Sequence, residues 1–420
     1  MYDLIIRDAT IVSSTTRQVA DVAIQDGKIA YVGPRPPRPG REELSAIGKF
    51  LMPGVIDTAV QFDPAGSDPG IWERESRAAV TGGVTTVVSL PDGDAPVVDR
   101  KSAKRRFERA SAASWVDFGL WGAATVDNAA ELSIAILDGL LAGTLAFVGD
   151  GALGLEALEP HLGAPGVLGV RLSEPGARDA SGVLDAARRH DRPIHLVHLS
   201  TAAELNLIDP VRGEMPVTAG CTPHHLFLST EDDDAIRVHT HPPVRPEQDR
   251  RTLWTAVKRG RLDCIASDHH PSPPGAPTRT AGPPRGGDPR SEIDGVPGTE
   301  LLFPLMLSAV RYGRLSLELL VSLCSENPAR IFGLDNKGRI AKGYDADLVL
   351  FSEGEVSKVD EAELVSGAGW SPYVHREAAP KPELVMVGGK IVARRGKLVA
   401  DTPSGRPITI KGTTKGTIKT

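Results

Sequence analysis

The sequence is short of cysteine, of aromatic side chains and of any dominant charge, and each shortage narrows what the protein is. Three cysteines occur in 420 residues, Cys221, Cys264 and Cys324, far apart and without a CxxC pair. That excludes a disulfide framework and a thiolate zinc site, and it fits a reducing compartment. The formal charge of −6 supplies no electrostatic reason for nucleic acid or an anionic membrane as a partner. No long apolar run is present: the most apolar stretch, Leu301 to Val310, is too short to span a bilayer and carries Pro304. The start, Met1-Tyr2-Asp3-Leu4-Ile5-Ile6-Arg7-Asp8, lacks the basic and apolar regions of a signal peptide. These absences predict a soluble, cytoplasmic protein with neither membrane nor nucleic acid as a partner.

What is present is an alternation. Short apolar runs at Val55 to Val60, Thr85 to Leu90, Phe118 to Trp121, Thr144 to Val148, Val167 to Leu172, Ile194 to Leu199, Val217 to Ala219 and Cys264 to Ser267 are separated by helical stretches. Strands alternating with helices are the signature of a parallel sheet, and this spacing predicts a (β/α)8 TIM barrel with its site at the strand C-terminal ends. Both chain ends read as β instead. Leu4 to Val12 and Val22 to Val32 (broken by Asp26-Gly27), Asp347 to Phe351, and Glu383 to Val392 (turning at Gly388-Gly389) predict a small β-sandwich built from both termini. The expected division is 1–52 and 339–401 for the sandwich, 53–338 for the barrel, and 402–420 for a loosely held polar tail. Pro271 to Arg290, rich in proline, glycine and arginine, is expected to be a mobile loop.

Seven histidines, His195, His224, His225, His239, His241, His269 and His270, invite a metal argument. Their spacing suits scaffold or loop positions better than a ligand set. Asp232-Asp233-Asp234 reads as a solvated acidic patch. The glycine pairs are turn residues, since no phosphate-loop pattern surrounds them.

Ordered motifs carry more information. Pro53-Gly54-Val55-Ile56-Asp57-Thr58-Ala59-Val60-Gln61-Phe62 is followed by Arg77 to Thr86, Val116 to Gly122, Thr222-Pro223-His224-His225-Leu226, Pro242-Pro243-Val244-Arg245 and Asp263 to His269. Asn327 to Leu334, Lys337-Gly338 and Gly343-Tyr344-Asp345-Ala346-Asp347-Leu348 complete the set. This series resembles the cyclic amidohydrolases: dihydroorotases, allantoinases and hydantoinases.

The resemblance implies a metal centre at the barrel mouth, because a bound metal lowers the pKa of water from ~15.7 to ~7 and polarises the amide carbonyl. It also implies where the ligands should stand, and most positions are substituted. The strand-one histidine pair is Ala59 and Gln61, the strand-four lysine is Val148, and the strand-five histidine is Leu172. His198 on strand six and Asp268 on strand eight match the family's metal ligands, Asp268 also matching its general base. The arginine that pairs with a substrate carboxylate is replaced by Asp63, and Asp92 stands in a second substrate-reading stretch. Two matched ligands fall short of the three that a catalytic zinc takes. A site rebuilt with Gln61 or Asp150 is the alternative.

The expectation is therefore a dihydroorotase- or allantoinase-like chain with a degraded metal site, non-catalytic and structural. It is expected to hold no cofactor, or at most one weakly held zinc. As partners the resemblance implies a homo-oligomer, and aspartate carbamoyltransferase of pyrimidine biosynthesis or an active homologue. The competing expectation is an active cyclic-amide hydrolase with a single or remodelled metal site.

Overall fold

The structure, a computed structural model, describes residues 1–62, 68, 70–91, 93, 95–148, 154–172, 176–232, 238–272 and 293–410. The N-terminal strands are β1 (Tyr2–Val12), β2 (Arg17–Gln25), β3 (Lys28–Gly33), β4 (Gly40–Ser45) and β5 (Phe50–Pro53). The chain then runs through β6 (Val55–Val60), β7 (Val84–Ser89), β8 (Asp117–Ala123), β9 (Gly143–Val148), β10 (Val167–Leu172), β11 (Ile194–Val197) and β12 (Val217–Cys221). After the short β13 (Val238–His239) come β14 (Cys264–Ile265) and β15 (Ile293–Asp294). The last strands are β16 (Leu348–Phe351), β17 (Ser357–Lys358), β18 (Glu377–Ala378), β19 (Leu384–Val387), β20 (Lys390–Arg394) and β21 (Lys397–Leu398).

β6 to β12 and β14 form one parallel sheet of eight strands, ordered β14-β12-β11-β10-β9-β8-β7-β6. A parallel bridge from Val60 to His269, and the Gln61 amide donating to the His269 carbonyl at 2.7 Å, bring its two edges together. The expected TIM barrel is present, with all eight strands where apolar runs predicted them. Each strand is apolar because the sheet is covered on both faces. The outer face packs on helices through Val87, Leu120, Val148, Leu168 and Leu172. The inner face fills the lumen with Ile56, Ala59, Val88, Trp121, Leu145, Val197 and Ala266.

The second sheet joins both chain ends in the order β21-β20-β19-β16-β5-β1-β2-β3, with β4 paired to β1. Its tight hairpins turn at Asp26-Gly27 (φ 52 and 76), Gly388-Gly389 (φ 54 and 80) and Arg395-Gly396 (φ 48 and 71). Positive φ at both central positions suits the right-handed twist of the flanking strands. Gly54 carries the chain from this sheet into the barrel, and there an added Cβ would lie 2.0 Å from the Thr85 hydroxyl oxygen.

The bottom of the barrel is closed by charge. The Lys337 ammonium lies 2.6 Å from Asp117, 2.5 Å from Asp347 and 3.4 Å from Asp345, all buried. Asp117 begins β8, while Asp345 and Asp347 lead into β16, so this cluster joins barrel to sandwich. Burial opposes the charge on Lys337, but the three carboxylates raise its pKa above the ordinary lysine value. The segment expected to be a loose tail is tied down here as far as Ile410. The Arg406 amide donates to Asp117 at 2.7 Å, Pro407 bridges Phe118, and the Ile408 amide donates to the Phe118 carbonyl at 2.9 Å. Ile410 reaches the lumen cluster beside Trp121 and Phe332.

Lys337→Met would leave three carboxylates crowded out of water. Removing one partner of a buried ion pair costs about 3–5 kcal/mol, so urea unfolding of this variant should show a loss of that order. A change below about 1 kcal/mol, the scale of an exposed pair, would show that the cluster does not hold the two domains together.

Candidate functional site

The sites predicted on the sequence converge at the C-terminal ends of β11 and β14. His198 follows β11 directly and Asp268 lies just past β14, and both adopt left-handed backbone (φ 62 and 51). Such φ values are uncommon outside glycine and concentrate at functional sites. The His198 Nε2 lies 3.2 Å from Asp268 Oδ1. The contact is close enough for charge, but it lacks the alignment of a hydrogen bond. Sequence reasoning singled out these two residues, which the fold brings together.

It missed the third. The Arg171 guanidinium donates to the same Asp268 Oδ1 at 2.5 Å, with both side chains nearly buried. Register explains why this residue was overlooked. Arg171 pairs with Phe147 on one side and Val197 on the other, and Val197 faces the lumen. Its guanidinium carbon lies 5.9 Å from the centre of the Phe147 ring. Leu172 pairs with Val148, and both belong to the outer core. The sequence comparison placed the missing ligands at Leu172 and Val148, whereas the charged side chain facing Asp268 is one residue earlier on β10. An arginine inside an otherwise apolar strand run was the available signal.

Burial alone would raise the Asp268 carboxyl, but the charges of Arg171 and His198 hold it well below the usual carboxylate range. The resulting object is a buried guanidinium–carboxylate pair with an imidazole beside it. Its donor set does not fit the two-metal centre implied by the resemblance. The oxygen that would face a metal faces a cation already attached to the chain. Ala59 is buried in the lumen core, and Gln61 is buried with its amide in the bond that closes the barrel. Asp63, Asp92 and Asp150 lie outside the described residues, as does most of the loop expected from Pro271 to Arg290.

The other histidines divide by environment. His269 accepts from the Gly298 amide through Nδ1 at 3.2 Å, so its proton belongs on Nε2, which lies 3.2 Å from Glu75. His225 turns Nε2 toward the Pro242 and Pro243 carbonyls at 3.2 Å, leaving Nδ1 to accept from the Thr222 hydroxyl at 2.8 Å. His195 meets Thr218 at 3.0 Å. These three are scaffold residues, as expected; His241 is exposed, and His270 contacts the Ser272 hydroxyl. His224 differs: it is fully buried, and neither ring nitrogen has a hydrogen-bond partner among the described residues. The Tyr373 hydroxyl is also buried and has no hydrogen-bond partner among the described residues, and it lies within electrostatic reach of Asp268. Asp232, expected in a solvated patch, is paired with Arg376 at 2.6 Å; Asp233 and Asp234 lie outside the described residues.

Two outcomes follow from this geometry. Arg171→Met should destabilise the fold by about 3–5 kcal/mol, and adding Asp268→Asn should recover most of the loss. Denaturant melts of the single and double variants measure this, and additive losses would mean the pair is not coupled. The second concerns pH. Burial, with the nearby charge of His198, depresses His195 and His225 to about 3 each. A folded pKa below the unfolded value means that the unfolded chain binds more protons. Stability is then complete above about pH 6.5 and declines as pH falls toward 3, by up to ~2.7 kcal/mol per pH unit for two such groups. Unfolding at pH 7.5 and 5.5 would show it; equal stability at both would contradict the neutral assignments.

A family model described as "Amidohydrolase family" matches residues 50–392. A dihydroorotase of Methanosarcina mazei is 31% identical over 98% of this chain and 99% of its own length. An allantoinase of Rubrobacter xylanophilus is 30% identical, covering 96% of this chain and 97% of its own. Among solved structures, the L-hydantoinase (dihydropyrimidinase) of Arthrobacter aurescens superposes with a TM-score of 0.86 at 26% identity, covering 97% of this chain and all of the other.

The expectation of no cofactor, or at most one weakly held zinc, is corrected by this match together with a second observation. Among the described residues, the buried carboxylates of Asp117, Asp345 and Asp347 place ligand atoms within 4.8 Å of one another, a group that could hold a metal ion. The sequence reading looked for ligands at the strand C-terminal ends and so missed a cluster at the opposite end of β8. The Lys337 ammonium lies among these oxygens, so an ion there would stand in the place of Nζ. Family model, full-length relatives and barrel geometry agree, and the chain belongs to the amidohydrolase family.

Proposed function

We propose that this chain is a dihydroorotase- or allantoinase-like amidohydrolase in which the barrel mouth no longer activates water, and that it serves as a structural subunit. The observation that carries this reading is the Arg171–Asp268 pair. A general base takes a proton from water, and Asp268 is instead bound to a guanidinium and held ionised well below the usual range. That lowers its basicity, opposite to the tuning expected of a general base poised near neutral pH. The substrate-reading arginine of the resemblance is replaced by Asp63, which disfavours an anionic substrate.

A structural subunit needs a surface to assemble on. Ile134 and Leu137 are exposed on one face of the helix Ala129–Leu137, and Val126 is exposed just before it. Single exposed apolar residues are ordinary, but a grouping on one helix face supports an interface. The partner that the resemblance suggests is aspartate carbamoyltransferase or an active homologue, with self-association as well. An obligate interface would bury more than ~2,000 Å².

The second reading, an active cyclic-amide hydrolase with a rebuilt site, is favoured by the names of the relatives and by His224. Its two nitrogens, without hydrogen-bond partners among the described residues and close to Asp268 and His198, offer a ligand or proton carrier that the sequence reading assigned to scaffold.

Dihydroorotate, allantoin and hydantoin are expected to remain unhydrolysed by the purified protein, with or without added divalent metal. The tagged chain should sediment as an oligomer and bring a second protein of defined mass from its native extract. Metal-dependent turnover that Asp268→Asn abolishes would establish the second reading. A monomer without a partner would remove the structural role.

A further inference from the structure

Away from the barrel mouth, the helices Glu247–Lys258 and Leu302–Arg311 and the β17–β18 ribbon contribute to a recess of about 350 Å³. Its lining includes Arg250, Arg314, Lys358 and Arg376, against one carboxylate, Glu377. That carboxylate is already engaged by the Tyr312 hydroxyl.

The neighbouring acids do not balance the rest. Glu247 is shared: it takes two bonds from Arg250, at 2.5 and 2.6 Å, and one from Arg251 at 2.8 Å. Arg376 pairs with Asp232 at 2.6 Å through one terminal nitrogen, while its buried Nε has no hydrogen-bond partner among the described residues. The Arg314 guanidinium makes no hydrogen bond or ion pair among the described residues. Its guanidinium rests 5.3 Å above the Trp254 ring, and burial together with the charge of Arg250 lowers its pKa. Four cations thus line the recess with one carboxylate, Glu377, and the acids beside it, Glu247 and Asp232, are already paired with Arg250, Arg251 and Arg376, in a chain whose formal charge is −6. Positive potential concentrated against the sign of the whole molecule is what a site for an anion requires. The guanidinium fork suits tetrahedral oxyanions, which accept from two nitrogens at once.

We propose that this recess binds a phosphate group, either the free ion or the terminal group of a small monoester. Arg314 supplies a charge without an ion-pair partner, and Arg376 Nε a donor without an acceptor, among the described residues. The site is separate from the barrel mouth and stands whether or not the mouth is catalytic. Phe227, in its lining, closes the short helix that carries His224, so the two sites share a structural element.

The test is calorimetric titration of the full chain with inorganic phosphate, methyl phosphate and sodium chloride at matched ionic strength. Phosphate is expected to bind at one site, and chloride to give no signal. Methyl phosphate binding equally well would identify a monoester as an acceptable ligand, and failing to bind would restrict the site to the free ion. Arg314→Gln should weaken phosphate binding about tenfold or more, the scale of a lost charged hydrogen bond. Lys358→Gln, on an exposed residue, should weaken it several-fold without moving the melting temperature. Phosphate binding absent up to about 10 mM, or unchanged in both variants, would overturn the proposal.

Discussion

A charge taken out of water has to meet an opposite charge, and that constraint organises both ends of this barrel. At the bottom, Lys337 meets Asp117 and Asp347 at 2.6 and 2.5 Å. At the mouth, Arg171 meets Asp268 at 2.5 Å. Desolvation of an isolated ion costs several kcal/mol even after the protein relaxes, so neither end tolerates the loss of a partner. The lower cluster fastens three parts of the chain together: the start of β8, the approach to β16, and the C-terminal segment through Arg406. The upper pair fixes the state of the one carboxylate on which family chemistry would depend.

The two ends differ in what they leave over. The lower cluster is closely balanced, with Lys28 also paired to Asp345 at 2.5 Å and Arg406 reaching Asp117 at 3.5 Å. The mouth keeps surplus polar atoms: both nitrogens of His224, the Arg171 Nε and the Tyr373 hydroxyl are buried without hydrogen-bond partners among the described residues. An unmet buried donor or acceptor costs about 1–3 kcal/mol, more than most single surface contacts return. These atoms mark the mouth as a place that still retains polarity, although the water-activating arrangement is gone in the reading advanced here.

Most of the architecture was legible in the sequence. Buried parallel strands read as apolar runs, and Asp26-Gly27 and Gly388-Gly389 reveal their turns through the φ values that glycine tolerates. The pairing of His198 with Asp268 was legible from motif order. Arg171 was not, because strand position alone does not tell which of two adjacent residues faces the lumen; a one-residue change of register exchanges the two faces. The Lys337 cluster was hidden for another reason. Its members stand in three separate motif stretches, and only the folded chain brings Asp117 within reach of a lysine 220 positions later. The packing of the tail depends on one-residue contacts with β8 that carry no periodic signal.

The central claim is that Asp268 is a structural anion bound to Arg171. The direct measurement is a pH titration of the Asp268 carboxyl by 13C nuclear magnetic resonance on the folded full-length protein. The account predicts that the Asp268 resonance stays at its ionised position down to the lowest pH at which the fold survives, and that Arg171→Met moves its midpoint upward. A midpoint at or above the ordinary aspartate value of about 3.9 in the unaltered protein would contradict it, and would return Asp268 to the role of a base.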